Sequence, residues 1–441
     1  MTSMLGMQYL ADLLYLLAGI GYLPIALYNA FVRGKNRSGW RHRFGFVPER
    51  RSDVQRIMIH AVSLGEVNAT PRLVEMMRER HPSLDVLIST TTDTGYRRAV
   101  QFYGEENVIR SPLDFSFVVS RVLNRSRPSL LVLVEQELWF NLIHACHARG
   151  IPVAVVNGRM TERSGGRYAM IAPLLRGVFA RLSWVGAQDE AMAQRFIRLG
   201  ANADQVRTIP SLKWDSAQVS DDVPGREDMA RALGLMESQA PVWVCGSTGV
   251  GEDALILDAY RQWEAGWGPR PRLILVPRRP ETFDQVARSI TEAGYALIRR
   301  SEAASPEQAT THRGGEEPVI LGDTMGELRA FYALADVVFV GRSLVPAGGS
   351  DPMEVAGLGR SMIVGPHTSN FREPIRILKE AGVVEVVDDA TTLIQAVRRQ
   401  CDDLQKVREA GVTARDAVLA QQGGTRLTAD ALSAFLSHPT A

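Results

Sequence analysis

Cysteine is scarce: Cys146, Cys245 and Cys401 are the three in 441 residues, and no two stand at CxxC or Cys/His ligand spacing. That count excludes a disulfide framework and a zinc site, and it fits a reducing compartment. Neither sign of charge is in excess, because 50 Lys and Arg against 49 Asp and Glu leave a formal net charge of +1. The global electrostatic argument for a nucleic-acid partner is therefore missing. No low-complexity tract and no short-period repeat interrupts the chain. Long hydrophobic runs are absent too, with one exception at the start. From Leu13 to Val32, 20 residues pass without a charge, and Arg33, Lys35, Arg37, Arg41 and Arg43 come next. This length just spans a hydrocarbon core. The basic residues come after the apolar run, the reverse of a cleaved signal peptide, and place the downstream domain on the cytoplasmic side. Asp12 just before the segment, and Pro24 and Asn29 within it, count against a clean span. A spanning helix, a helix lying in the interface and a buried core helix all remain open, although the last leaves the basic cluster unexplained.

The rest of the chain is ordinary globular material, 45% apolar and 22% charged, long enough for two domains with proper cores. After residue 55, short runs rich in Val and Ile alternate with longer amphipathic stretches, the pattern of a parallel sheet covered by helices. Strands are expected at Ile57–Ser63, Asp85–Thr91, Leu130–Glu135, Pro152–Asn157 and Trp184–Gln188. A second series is expected at Val242–Cys245, Leu273–Val276, Val319–Leu321, Val337–Val340, Met362–Val364 and Val383–Val387. Between the two series, Ser216–Arg226 turns polar and reads as a linker. The expected organisation is an anchor over 1–33, a Rossmann-like domain over 34–215 and a second over 216–441, whose last helix could pack back on the first domain. Open parallel sheets bind ligands beyond the carboxyl ends of their strands, so the chemistry is sought there.

Four segments place polar residues and glycine at such ends. Ser63, Gly65 and Glu66 lie where a strand passes into a helix, with Gly65 read as permitting the turn; a Glu in a first helical turn can act as a base or simply stabilise the helix. Glu135 and Glu137, one residue apart, would point the same way in an extended chain and repel each other, unless exposure relieves them. Gly246–Asp253 is a Gly-rich turn, with Ser247 and Thr248, that offers N–H groups to phosphate but matches neither the P-loop nor the dinucleotide fingerprint. The fourth is a set: Arg278 and Arg279, then Thr324-Met325-Gly326-Glu327, then Gly348, Gly349, Asp351 and Glu354. Arginines at a strand end could pair with phosphate, and Glu354 could chelate a ribose diol.

His60–Glu66, Glu135–Asn141, Gly246-Ser247-Thr248, Pro277–Pro280, Gly322–Leu328 and Gly365–Phe371 together resemble the 3-deoxy-D-manno-octulosonic acid (Kdo) transferases of lipopolysaccharide synthesis. The resemblance runs in the right order from the N-terminus to about residue 380. It implies an α/β fold of the GT-B type, with an acceptor-binding first domain and a donor-binding second. It also implies metal-independent, inverting transfer of Kdo from CMP-Kdo to lipid A precursor (lipid IVA) at the inner membrane, with no cofactor. Glu66 would be the general base and Glu135 or Glu137 would face substrate. Arg278, Met325, Gly326, Glu327 and Glu354 would hold CMP, and Arg37, Arg41 and Arg43 would meet the charged lipid surface. The chain departs from the family pattern at Arg279, and at Ser350 and Asp351 where His-Asn is usual; Arg279 and Asp351 could compensate each other. Two other readings stand beside the transferase: a nucleotide-sugar epimerase or hydrolase on the same fold, and an inactive membrane-bound binding protein.

Overall fold

A computed structural model of the chain describes residues 11–21, 24, 28, 38–49, 54–136, 139–160, 168, 172–220, 222–236, 238–303 and 317–436. It divides into two compact units, Met1–Ser216 with Gln421–Ala441, and Ala217–Ala420.

The first unit carries β1 (Arg56–His60), β2 (Asp85–Thr90), β3 (Val108–Arg110), β4 (Leu130–Val134), β5 (Val153–Gly158), β6 (Trp184–Ala187) and β7 (Val206–Thr208). They form one parallel sheet in the order β3-β2-β1-β4-β5-β6-β7. The unbroken apolar run of β4 has its explanation here. Leu131 and Leu133 join the core on one face while Leu130, Val132 and Val134 join that on the other, so both faces are dry. The chain order reverses between β1 and β4, which pair side by side. Their carboxyl ends mark the switch point where such sheets hold ligands.

The second unit repeats the plan with β8 (Val242–Thr248), β9 (Arg272–Pro277), β10 (Leu297–Arg299), β11 (Val319–Leu321), β12 (Val337–Val340), β13 (Met362–Val364) and β14 (Val384–Val386). Their order is β10-β11-β9-β8-β12-β13-β14, again parallel, and the switch point lies between β8 and β12.

The chain returns to the first unit at its end. Helix Gly424–Leu436 buries Ala429, Leu432 and Leu436 in the core of that unit. The Asp215 carboxylate accepts the Gly423 N–H at 2.7 Å and the Thr425 N–H, satisfying amides that a helix start leaves open. Arg80 pairs with Asp430 at 2.7 Å on the outer face.

At the N-terminus residues 11–21 are helical, and Leu13, Leu14, Leu16, Leu17 and Ile20 are each more than half exposed, so this is no buried core helix. Asp12 is not a stray charge in an apolar run. Its carboxylate accepts the Ser116 N–H at 2.9 Å, the Ser116 hydroxyl and the Asn141 Nδ2 at 2.9 Å, and so caps helix Ser116–Ser126, whose own N-cap residue Phe115 offers no acceptor. Among the described residues no helix is long and apolar enough to cross a membrane. Residues 22–23, 25–27 and 29–37, with the rest of the apolar segment and Arg37, lie outside the described residues.

Candidate active site

In the first unit the switch point is acidic. Ser63 caps helix Leu64–Asn68: its Oγ accepts the Glu66 N–H at 3.3 Å and donates to Glu66 Oε1 at 2.6 Å. The other carboxylate oxygen of Glu66 accepts the Val62 N–H at 2.8 Å. Glu66 is thus a partner in its own helix cap, the bland role open to it, but it is also 7% exposed in the sheet's ligand-binding region. Burial pushes its carboxyl above the ordinary value and outweighs the Ser63 hydroxyl and Val62 amide, which favour the ionised form; the charge of Glu135 pushes the same way as burial. A helix N-terminus by itself would favour the ionised form. Desolvation wins, and a carboxylate shifted toward neutrality is a better proton acceptor than an ordinary one. Gly65 also has a different place from the one expected. It sits inside the short helix without positive φ, and a Cβ there would meet nothing nearer than Ser63 Oγ at 3.9 Å.

Glu135 comes directly after β4 in a left-handed conformation, φ 62°. The assumed extended chain ends at Val134, so alternation gives no basis for pairing Glu135 with Glu137, which lies outside the described residues. The charge of Glu135 is met instead by Lys213 Nζ at 2.9 Å. The pair is 78 residues apart in sequence, and sequence reasoning missed the lysine. Rarity was the available signal, because Lys35, Lys213, Lys379 and Lys406 are four lysines among 50 basic residues. Asn157, at the end of β5 with φ 54°, accepts the Leu212 N–H at 3.2 Å and so fixes the residue before Lys213. His60 lies beneath, fully buried, with Nδ1 on Ser89 Oγ at 3.0 Å; burial lowers it to about 4, so it stays neutral.

The basic cluster divides. Arg41 is exposed. Arg43, expected at the lipid surface, is 9% exposed, donates to the Thr91 carbonyl at 3.0 Å and lies 5.7 Å from the Trp40 ring centroid. A guanidinium anchored in that way holds helix Trp40–Arg43 to the sheet end rather than meeting a headgroup.

In the second unit the switch point is basic. Thr248, Gly249, Val250, Arg278, Arg279 and Arg342 line a cavity of about 310 Å³. The Arg278 N–H donates to the Thr248 carbonyl at 3.1 Å, which binds the end of β9 to the end of β8. Ser247 takes a left-handed φ of 55°, and its carbonyl accepts the Ser350 hydroxyl at 3.3 Å. The Thr248 hydroxyl donates to Asp253, whose carboxyl burial pushes up to about 6.

Not every amide of the Gly-rich turn is open to a ligand. The Gly249 N–H donates at 2.9 Å to Glu252, a fully buried carboxylate that also accepts the N–H groups of Arg342, Ser343 (2.9 Å) and Leu344 (2.8 Å). Glu252 thereby ties the turn after β8 to the turn after β12.

The remaining sequence candidates of this unit are not among the residues that line this cavity. Glu327 is the N-cap of helix Leu328–Leu334; its carboxylate accepts from Arg300 at 2.9 Å and from the Thr324 hydroxyl. Met325 is 68% exposed and Gly326 has φ 87°. Gly348 and Gly349 both have positive φ, which favours glycine, and a Cβ on Gly348 would come within 2.3 Å of Asn370 Nδ2, so that side chain would have to move. Asp351 accepts the Met353 N–H at 2.9 Å at the start of helix Met353–Gly357. Burial and the charge of Asp351 raise Glu354, against Arg329 and Arg278. Arg279 makes no ion pair among the described residues, so the suggested compensation by Asp351 is not formed.

Residues 38–216 match the family model for 3-deoxy-D-manno-octulosonic-acid transferase. The chain is 34% identical over 386 residues to the 3-deoxy-D-manno-octulosonic acid transferase of Haemophilus influenzae, covering 87% of this chain and 88% of that one. It is 35% identical over 388 residues to that of Bordetella pertussis, covering 86% and 87%. Among solved structures, a glycosyltransferase from Rickettsia africae aligns with a TM-score of 0.54 at 13% identity, over 88% of this chain and all of that one. A UDP-GlcNAc 2-epimerase from Neisseria meningitidis aligns with a TM-score of 0.53 at 11% identity, over 86% and 100%. The two structural likenesses speak to fold alone.

Proposed function

Because the chain belongs to the 3-deoxy-D-manno-octulosonic acid transferase family, we propose that it is a glycosyltransferase moving Kdo from CMP-Kdo to the lipid A precursor, with inversion and without a metal. The observation that carries this reading is the division of chemistry between the two units: a desolvated carboxylate, Glu66, at the switch point of the first, and a cavity lined by Arg278, Arg279 and Arg342 at that of the second. In a GT-B arrangement the first unit takes the acceptor and the second the donor. Glu66 removes the proton of the acceptor hydroxyl as that oxygen attacks the anomeric carbon. The guanidinium groups of Arg278 and Arg279 stabilise the negative charge of the departing CMP. Ser63 holds the Glu66 carboxylate in place, and Lys213 keeps Glu135 from adding its full charge beside the base.

Acceptor-dependent release of CMP is the test. The protein given CMP-Kdo should liberate CMP at an appreciable rate only when lipid A precursor is also present. Equal release without the lipid would identify a hydrolase and overturn the proposal.

We place the protein at the cytoplasmic face of the inner membrane. The exposed leucines of residues 11–21 support contact with lipid, and the basic residues beyond them support contact with an anionic surface. Deleting residues 1–32 is expected to move the protein from the membrane pellet to the soluble fraction. Undiminished sedimentation with membranes would show that another surface holds it.

A further inference from the structure

The donor cavity is lined by three arginines and by no acidic side chain. Arg278, Arg279 and Arg342 form no ion pair among the described residues. Glu354 acts on Arg278 from outside the lining, but three guanidinium groups around one cavity with no carboxylate in its wall suit a ligand with more than one negative charge. Their arrangement divides the charge. Arg278 and Arg279 come after β9, whereas Arg342 comes after β12, and β8 runs between those two strands. Neighbouring strands lie about 4.8 Å apart, so the two cationic groups originate on strands about 10 Å apart, one on each side of the Thr248–Val250 turn.

Arg342 is held there against local preference. Its φ of 60° belongs to the left-handed region, which disfavours a side chain. The strain is kept in place by the Glu252 carboxylate on its N–H, by the Gly349 N–H on its carbonyl at 2.8 Å, and by its own Nη2 on the Ala347 carbonyl at 2.9 Å. A glycine would satisfy that backbone without strain. What the arginine adds is a half-buried, oriented guanidinium in the cavity wall.

Resting on the reading of CMP-Kdo as donor, we infer that Arg342 is a specificity-determining residue that binds the carboxylate of the transferred sugar, while Arg278 and Arg279 bind the phosphodiester. CMP-Kdo carries both anions at one carbon, since the anomeric centre bears the carboxylate directly and the phosphate through oxygen. The two arms of the cavity are suited to such a pair. A nucleotide sugar whose anomeric carbon bears hydrogen in place of the carboxylate leaves Arg342 without its partner.

Arg342→Gly tests this without endangering the fold, because the backbone conformation there is one that glycine adopts freely. The variant is expected to raise KM for CMP-Kdo roughly 10–100-fold, the effect of losing one charge-assisted contact, while the Kd of CMP alone changes by less than about twofold on the same scale. Arg342→Lys, which keeps the charge but not the fork, should fall between. An unchanged KM for CMP-Kdo overturns the inference, as does equal weakening of CMP and CMP-Kdo, which would place Arg342 on the phosphate. A parent protein that transfers no Kdo would overturn the functional reading itself, an outcome distinct from an active parent with an indifferent Arg342→Gly variant.

Discussion

Glu66→Gln is expected to lower Kdo transfer roughly 10²–10⁴-fold, the contribution of a positioned general base, while CMP-Kdo still binds at parental affinity. Gln can keep the contact with the Val62 N–H through its carbonyl, so the cap of helix Leu64–Asn68 survives in part and the loss falls on proton transfer. The pH profile carries a second signature. Burial raises the Glu66 carboxyl above its ordinary value, and only the ionised form accepts a proton. Activity must therefore fall as pH drops through that raised value, earlier than an exposed glutamate would allow. Ser63→Ala should move this acid limb to higher pH still, because the Ser63 hydroxyl at 2.6 Å stabilises the ionised form. An acid limb unmoved in Ser63→Ala would argue that another group titrates.

Glu252→Ala should produce the largest loss of stability. Its carboxylate is fully buried and is the acceptor for four backbone N–H groups, those of Gly249, Arg342, Ser343 and Leu344. Removing it leaves those donors unsatisfied, each at a cost of about 1–3 kcal/mol before relaxation. Local rearrangement will recover part of that, so a net loss of about 3–5 kcal/mol is expected in denaturant unfolding of the second unit. Glu252→Gln is not a rescue. One end of the amide is itself a donor and would face N–H groups on either Ser343 and Leu344 or Gly249 and Arg342. CMP binding should weaken in both variants, since the Gly249 turn that Glu252 holds lines the cavity. A Glu252→Ala protein within about 1 kcal/mol of the parent would show that the loops hold themselves, against the expected cost of open donors.

The sequence was most informative where a pattern is long and local. Leu130–Val134 is apolar at every position and could be little else than a doubly covered strand, and it is one. The strands that escaped notice are β3 (Val108–Arg110), β7 (Val206–Thr208) and β10 (Leu297–Arg299), each three residues long and each at a sheet edge. Three residues are too few to show a period, and an edge allows arginine or threonine. In the candidate site, Glu66, Arg278 and Arg279 were legible because a strand end leading into a polar turn is visible in the sequence itself. Lys213, Glu252 and Arg342 were not. Their significance depends on partners 78 to 92 residues away, as in Lys213 with Glu135 and Glu252 with Leu344. Nor does spacing reveal backbone conformation. The extended chain assumed at Glu135 gives way to φ 62°, and the geometric argument for its repulsion by Glu137 goes with it.

Mass spectrometry of lipid A precursor after incubation of the full chain with CMP-Kdo tests the account most directly. The parent protein should yield lipid heavier by one or more Kdo residues, and Glu66→Gln should return the lipid unchanged. Unmodified lipid from the parent, or Kdo-bearing lipid formed at the parental rate by Glu66→Gln, would contradict it.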